Sequence, residues 1–127
     1  MNSFIKYNAL SILWSALILI LSLLRGKNIP SFTIFEYDKI IHFVIYLLLA
    51  VMMYYGWKKQ NLFSALHQYT LVKILLITSF YGFLVELLQE FFTADRHFDI
   101  LDALANSAGA VAGTLISMYF KKYILNY

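Results

Sequence analysis

Four long apolar segments, joined by short polar ones, occupy most of this chain of 127 residues. They run over about 7–24, 40–57, 71–92 and 100–120, and the first contains no charged residue. At a rise of 1.5 Å per residue, helices of this length cross a hydrocarbon layer about 30 Å thick. The pattern therefore predicts an all-α polytopic membrane protein, a bundle of four transmembrane helices.

The composition supports lipid as the surroundings of these helices. Apolar residues make up 61% of the chain and charged residues 13%, against roughly 45–50% and ~25% in soluble domains. A small core cannot bury such an excess of apolar surface. An ordinary soluble domain and a disordered tail are excluded, and the absence of cysteine excludes a disulfide scaffold. We predict one membrane domain over 1–127, without a separate soluble enzymatic domain.

Three polar connections link the predicted helices. Residues 25–39 include Gly26 and Pro30, which break a continuing helix. Residues 58–70 are predicted to form a short amphipathic piece lying at the membrane interface. Residues 93–99 are predicted to form a tight polar loop.

The charged residues predict an orientation. With the N-terminus inside, six basic residues near helix ends lie inside and four outside, which favours cytoplasmic N- and C-termini in the cell membrane. All seven acids then lie outside: Glu36, Asp38, Glu86, Glu90, Asp95, Asp99 and Asp102. No basic stripe with interleaved aromatics occurs, so we expect no nucleic-acid partner. The partners expected are the lipid bilayer and an envelope ligand, and a homo-oligomer is left open.

Helical spacing places the polar residues of the last three helices on three stripes. The stripes comprise Asp38, His42 and Tyr46; Ser79, Gly82, Glu86 and Glu90, with Gln89 beside them; and Asp99, Asp102, Asn106, Gly109 and Gly113. An ionisable group inside the apolar layer costs several kcal/mol unless it is paired or meets water. The stripes should therefore face the bundle interior and converge on one site.

The small residues of the fourth helix predict close helix packing. Gly109 and Gly113 form a Gly-x3-Gly pair, which lets a neighbouring helix approach. The expected neighbour is the third helix, through Gly82.

These polar and glycine residues resemble a known family pattern in order and spacing. The pattern is Asp38-x3-His42-x3-Tyr46, followed by Glu86-x2-Gln89-x6-Arg96-x2-Asp99-x2-Asp102-x3-Asn106-x2-Gly109-x3-Gly113. Over about residues 30–115 the chain resembles the VanZ-like family of small bacterial membrane proteins. Ala94-Asp95 stand where that family often has Pro-Gly. The resemblance implies a cell-envelope protein whose founding relative is associated with resistance to the glycopeptide teicoplanin, and it implies no particular reaction.

Three interpretations of the polar residues stay open. The first is a ligand-binding site for a glycopeptide, wall precursor or lipid head group, in which Arg96 holds a carboxylate or phosphate bidentately. Its residues are Asp38, His42, Tyr46, Glu86, Gln89, Arg96, Asp99, Asp102 and Asn106.

The second interpretation is a membrane-embedded enzyme with His42, Glu86 and Asp102 as acid, base and orienting group. A metal held by residues from the set Asp38, His42, Glu86, Asp99 and Asp102 is a variant of it. No Walker loop or H-E-x-x-H motif occurs, and no cofactor is predicted. The third is a purely structural cluster that fixes helix register.

Overall fold

The computed structural model describes residues 2–24, 31–93 and 97–125, with the side chains in these ranges other than those of 31–37 and 124. Its four long helices are α1 (Ser3–Leu24), α2 (Ser31–Lys59), α3 (Thr70–Phe92) and α4 (Ile100–Tyr119). A short 3₁₀ turn (Ser64–His67) precedes α3, and a short helix α5 (Lys121–Leu125) follows α4. Each long helix has a stretch long and apolar enough to cross a membrane. The predicted four-helix membrane bundle is confirmed.

Helix α2 is longer than the sequence pattern indicated. It begins at Ser31, so residues 31–39 form its first turns and not part of a connection. Proline restricts the residue before it and not those after it, and it is well tolerated at the start of a helix. Pro30 therefore permits a helix to begin directly behind it.

Two hydrogen bonds show the relative directions of the first three helices. The backbone N–H of Asn61, just after α2, donates to Oγ of Ser3 at the start of α1, at 3.3 Å. The side-chain amide of Gln89, near the end of α3, donates to the carbonyl of Ser22, near the end of α1, at 3.1 Å. Helix α1 is therefore antiparallel to α2 and parallel to α3. Lys39, near the start of α2, contacts Asp99 and Asp102 at the start of α4, so α4 runs parallel to α2 and successive helices are antiparallel. The end at which α2 and α4 begin, and α1 and α3 end, is called the acidic end below.

The most extensive helix–helix interface joins α2 to α4. A Cβ atom on Gly109 would overlap the carbonyl of Phe43, and one on Gly113 would overlap the carbonyl of Leu47. The glycine pair thus packs against the backbone of α2, so the expectation that it meets α3 was wrong. A glycine stripe reveals a face for close approach, but spacing within one helix does not say which neighbour occupies it.

Polar side chains fill much of the bundle interior, and apolar ones face outward. Among the largest fully buried side chains are those of Glu86, Gln89, Asp102 and Asn106. Large apolar residues are widely exposed on the outer faces, as on Leu76 of α3 and Leu104 of α4. This arrangement is the one that a lipid environment favours, since lipid solvates apolar surface and penalises polar groups.

Candidate functional site

The polar stripes of α2 and α4 meet through a hydrogen bond to His42. Nδ1 of His42 lies 2.8 Å from Oδ1 of Asn106, and both side chains are buried. An amide oxygen only accepts hydrogen bonds, so Nδ1 carries the proton and donates. In the neutral ring, Nε2 is then the unprotonated nitrogen with an available lone pair.

Three carboxylates surround the imidazole ring. Nε2 of His42 lies 3.5 Å from Oδ1 of Asp38 and 3.8 Å from Oδ2 of Asp102. On the other edge of the ring, Nδ1 lies 3.7 Å from Oε1 of Glu86. All four side chains have exposures of 8% or less. The carboxylates come from α2, α3 and α4, so the three helices bring their ionisable groups together around one histidine.

Lys39 and Asp99 form the partly exposed edge of this cluster, called its mouth below. Its Nζ is 3.3 Å from Oδ2 of Asp99 and 3.3 Å from Oδ1 of Asp102. The side chains of Lys39 and Asp99 are 40% and 38% exposed, whereas that of Asp102 is 2% exposed. Asp102 therefore connects the mouth to the interior, with Oδ1 towards the ammonium and Oδ2 towards His42.

Asp99 also caps the N-terminus of α4. Its Oδ1 accepts a hydrogen bond of 2.8 Å from the backbone N–H of Leu101. Burial alone would raise the pKa of this carboxyl, but the Leu101 N–H and the Lys39 ammonium outweigh it and hold the pKa below its usual value. Sequence reasoning assigned Asp99 to ligand binding and overlooked the cap, although an aspartate directly before an apolar helix is a typical capping signal.

Several buried polar atoms along the stripes of α2, α3 and α4 have unused hydrogen-bonding capacity. Within the described residues no hydrogen bond is made by Nε2 of His42, Nδ2 of Asn106, the hydroxyl of Tyr46 or Oε1 of Gln89. Gly82 allows the side chains of Asn106 and Tyr46 to pack closely against α3, because a Cβ at this position would lie 2.9 Å from Nδ2 of Asn106 and 3.2 Å from Cε1 of Tyr46. Buried polar atoms in proteins nearly always have partners. These four atoms therefore leave unused hydrogen-bonding capacity in the bundle interior.

The polar stripe of α3 differs from the predicted one. The buried face carries Thr78, Gly82, Glu86 and Gln89, whereas Glu90 is exposed. A helix has 3.6 residues per turn, so a row of four-residue steps drifts around the helix unless a three-residue step intervenes. The buried face takes that shorter step from Glu86 to Gln89, whereas the predicted stripe took a further four-residue step to Glu90, which is exposed. Arg96, the predicted carboxylate or phosphate ligand, lies outside the described residues.

An apolar cleft of about 410 Å³ lies between α1 and α2, beside the polar cluster. Trp14 and Leu21 of α1 and Ile41 and Ile45 of α2 are among its lining residues, and His42 lines it too. Trp14 is held in place by donating a 3.0 Å hydrogen bond to the carbonyl of Ile45. Leu21 is 55% exposed, so the cleft opens on the lipid-facing side. Sequence reasoning missed the cleft, because α1 has no charged residue over 7–24 to mark a functional face.

Comparison with known proteins identifies the family. The family model described as VanZ/LLP1 matches residues 2–121. The match adds α1 and the end of α4 to the region of resemblance found from the motifs. No curated protein and no solved structure shows significant similarity to the chain. This multi-pass membrane protein, with its histidine and three carboxylates in the bundle interior, belongs to the VanZ/LLP1 family.

Proposed function

We propose that the protein binds an amphipathic molecule of the cell envelope, either a lipid or a lipid-linked wall precursor. The head group lies at the polar cluster of the acidic end, and the hydrocarbon chain lies in the cleft between α1 and α2. The observation that carries this proposal is the position of His42, which belongs to the polar cluster and also lines the cleft. A single molecule with one polar and one apolar part matches that arrangement.

The mouth of the cluster suits a head group that carries an anionic group. Among the described residues, Lys39 directs its ammonium at two carboxylates, and an ammonium has three donors. The third donor is suited to a phosphate or carboxylate, with which a charge-assisted hydrogen bond forms.

The cleft suits the apolar part of such a molecule. Its volume of about 410 Å³ is within the range of roughly 300–1,000 Å³ for small-molecule sites. Its walls are almost wholly apolar, and exposed Leu21 and Ile41 stand at its edge. A ligand can therefore enter from the bilayer without crossing water. This feature favours a lipid-borne ligand over a wholly polar one.

The experiment measures which lipids remain bound to the purified protein. Wild type is extracted in mild detergent, and retained lipids are identified by mass spectrometry. Ile41→Trp fills the cleft, and Leu104→Trp places the same bulk on the exposed face of α4 as a control. We expect wild type and Leu104→Trp to retain the same lipid and Ile41→Trp to lose it. Equal retention by all three proteins would contradict the proposal.

The identity of the retained molecule separates a phospholipid from a lipid-linked wall precursor. Teicoplanin binding, measured directly on the same three proteins, covers the glycopeptide that the family resemblance suggests. Binding of teicoplanin to wild type and Leu104→Trp, with loss in Ile41→Trp, would identify the glycopeptide as the ligand in place of a lipid. If wild type neither retains a lipid nor binds teicoplanin, the binding proposal is wrong.

A second candidate function is catalysis within the membrane. One observation favours it: the imidazole of His42 has carboxylates of Asp38, Glu86 and Asp102 within 4 Å, in a buried setting. A histidine beside carboxylates is a common general acid–base arrangement. The test is turnover of the retained lipid by the purified protein. An enzyme releases or alters the head group over time, and His42→Gln, if folded, does not; a binding protein leaves the lipid unchanged.

A further inference from the structure

The side chains on the Nε2 edge of His42 form a compact group of metal-ligand types. Asp38 and His42 lie one turn apart on α2, and Asp102 faces them from α4. Each offers one ligand atom, these atoms lie within 4.8 Å of one another, and all three residues are buried. We infer that Asp38, His42 and Asp102 bind one divalent metal ion through Nε2 of the histidine and one oxygen of each carboxylate.

The orientation of the imidazole supports this inference. Nδ1 donates to Oδ1 of Asn106 at 2.8 Å, which in the neutral ring leaves Nε2 as the nitrogen with the lone pair. Metal-binding histidines in proteins are usually oriented in this way, with the other ring N–H donating to a carbonyl or carboxylate. Nε2 makes no hydrogen bond within the described residues, and it points between Asp38 and Asp102.

The separations between Nε2 of His42 and the two carboxylate oxygens are close to those around a metal. Two donors at about 2.0–2.1 Å from a tetrahedral Zn²⁺ lie roughly 3.4 Å apart. Nε2 lies 3.5 Å from Oδ1 of Asp38 and 3.8 Å from Oδ2 of Asp102. A movement of a few tenths of an ångström brings each oxygen to the separation from Nε2 that a shared metal requires, and all three ligand atoms lie within 4.8 Å of one another.

The neighbouring residues are arranged to hold the ligands in place. Lys39 binds Oδ1 of Asp102 and turns Oδ2 towards His42. Glu86 lies on the Nδ1 edge of the ring, and Asp99 caps α4. Of the five residues considered from the sequence, the geometry therefore selects three as ligands. One imidazole and two carboxylates favour Zn²⁺ or Mn²⁺ over an all-oxygen Ca²⁺ site.

Three protein ligands leave a coordination position open, which is typical of sites that bind a further molecule. If the proposed ligand carries a phosphate or carboxylate, that position suits one of its oxygens; this last step rests on the proposed function. The metal site itself does not depend on it.

The experiment measures metal binding by the full chain in detergent. Protein treated with EDTA is dialysed against Zn²⁺ or Mn²⁺, and bound metal is counted by elemental analysis. We expect one equivalent per chain for at least one of the two ions. His42→Gln and Asp102→Asn should abolish this binding, and Asn106→Ala should weaken it by roughly 10- to 100-fold, the usual effect of removing a partner that orients a ligand.

Two variants serve as matched controls. Glu90→Gln removes an exposed carboxylate near the acidic end, and His97→Gln removes an exposed histidine. Both should bind the metal like wild type. The inference is wrong if wild type binds neither ion, if His42→Gln binds as wild type does, or if His97→Gln abolishes binding.

Circular dichroism shows whether each variant folds. If the ligand variants do not, X-ray absorption of the wild-type complex decides between the outcomes. One imidazole nitrogen among oxygen donors supports the site, and a spectrum without imidazole overturns it. Loss of lipid retention in Ile41→Trp is measured separately, so failure of the metal site and failure of the lipid proposal remain distinguishable.

Discussion

Oδ1 of Asn106 on α4 accepts a 2.8 Å hydrogen bond from Nδ1 of His42 on α2, inside the apolar bundle. The contact fixes the orientation of the imidazole and places Nε2 between two carboxylates. It is possible because Gly109 and Gly113 bring α4 against the backbone of α2. Close packing and the polar cluster are therefore parts of one interface.

The first prediction concerns that packing. In Gly109→Ala, the new Cβ overlaps the carbonyl of Phe43, and we expect a loss of about 1–3 kcal/mol in the free energy of unfolding. Alanine is a better helix former than glycine by about 1 kcal/mol, so a net loss of stability can be attributed to the overlap. Thermal unfolding in detergent measures it. Ala108→Val, on the exposed face one residue away, should change little; unaltered stability in Gly109→Ala would contradict the packing described.

The second prediction separates a functional cluster from a purely structural one. Glu86 is 1% exposed and lies 3.7 Å from the imidazole of His42. In a functional site, Glu86→Gln should abolish lipid retention or turnover while thermal stability holds or rises, because functional sites often sacrifice stability. In a structural cluster, stability and function should fall together. The unfolding temperature and the lipid retention of Glu86→Gln, measured on the same preparation, distinguish the functional site from the structural cluster.

The third prediction concerns the cap of α4. Asp99→Ala removes the acceptor for the N–H of Leu101 and should cost about 1 kcal/mol of stability, whereas Asp99→Asn keeps a capping oxygen and should cost less. The pKa of Asp99 is lowered in the folded protein, so its stabilising effect is present above the pH where an ordinary aspartate titrates and is lost as the pH falls through the folded-state value. Acidification should therefore narrow the gap between wild type and Asp99→Ala. A gap that widens in acid would contradict the assignment.

The fourth prediction concerns orientation, which rests on the distribution of basic residues. The chain has no cysteine, so single cysteines can be introduced directly. Ser64→Cys and His97→Cys lie at exposed positions beyond opposite ends of α3. With cytoplasmic termini, a membrane-impermeant maleimide should label His97→Cys in intact cells and Ser64→Cys only after lysis. The reverse pattern would invert the predicted topology.

The helices and the buried polar residues of α2 and α4 follow from simple regularities of the sequence. Apolar length identifies the membrane spans, and four-residue spacing places Asp38, His42 and Tyr46 on one buried face, as the structure has them. The cost of a charged group in lipid turns that face inward. These inferences depend on a single helix and its solvent, and a single sequence is sufficient for them.

The structural features that the sequence did not predict depend on which helices are neighbours. Gly109 gives no sign that α2 is its partner, and the apolar residues around Trp14 give no sign that α1 and α2 leave a cleft between them. The close approach of Gly56 to Asn8, where α1 crosses α2, was likewise not foreseen. Periodicity defines the face of a helix, whereas a cleft or a ligand set requires two helices in a defined arrangement.

Native mass spectrometry of the protein released from detergent tests the joint role of cluster and cleft most directly. It counts the lipid molecules bound per chain in wild type, in Ile41→Trp with its filled cleft, and in Lys39→Gln, which removes the ammonium at the mouth. We expect one bound lipid in wild type and a marked loss in each variant, since the ligand needs both its chain and its head group to be held. A wild type without bound lipid, or retention unchanged in both variants, would contradict the proposed function.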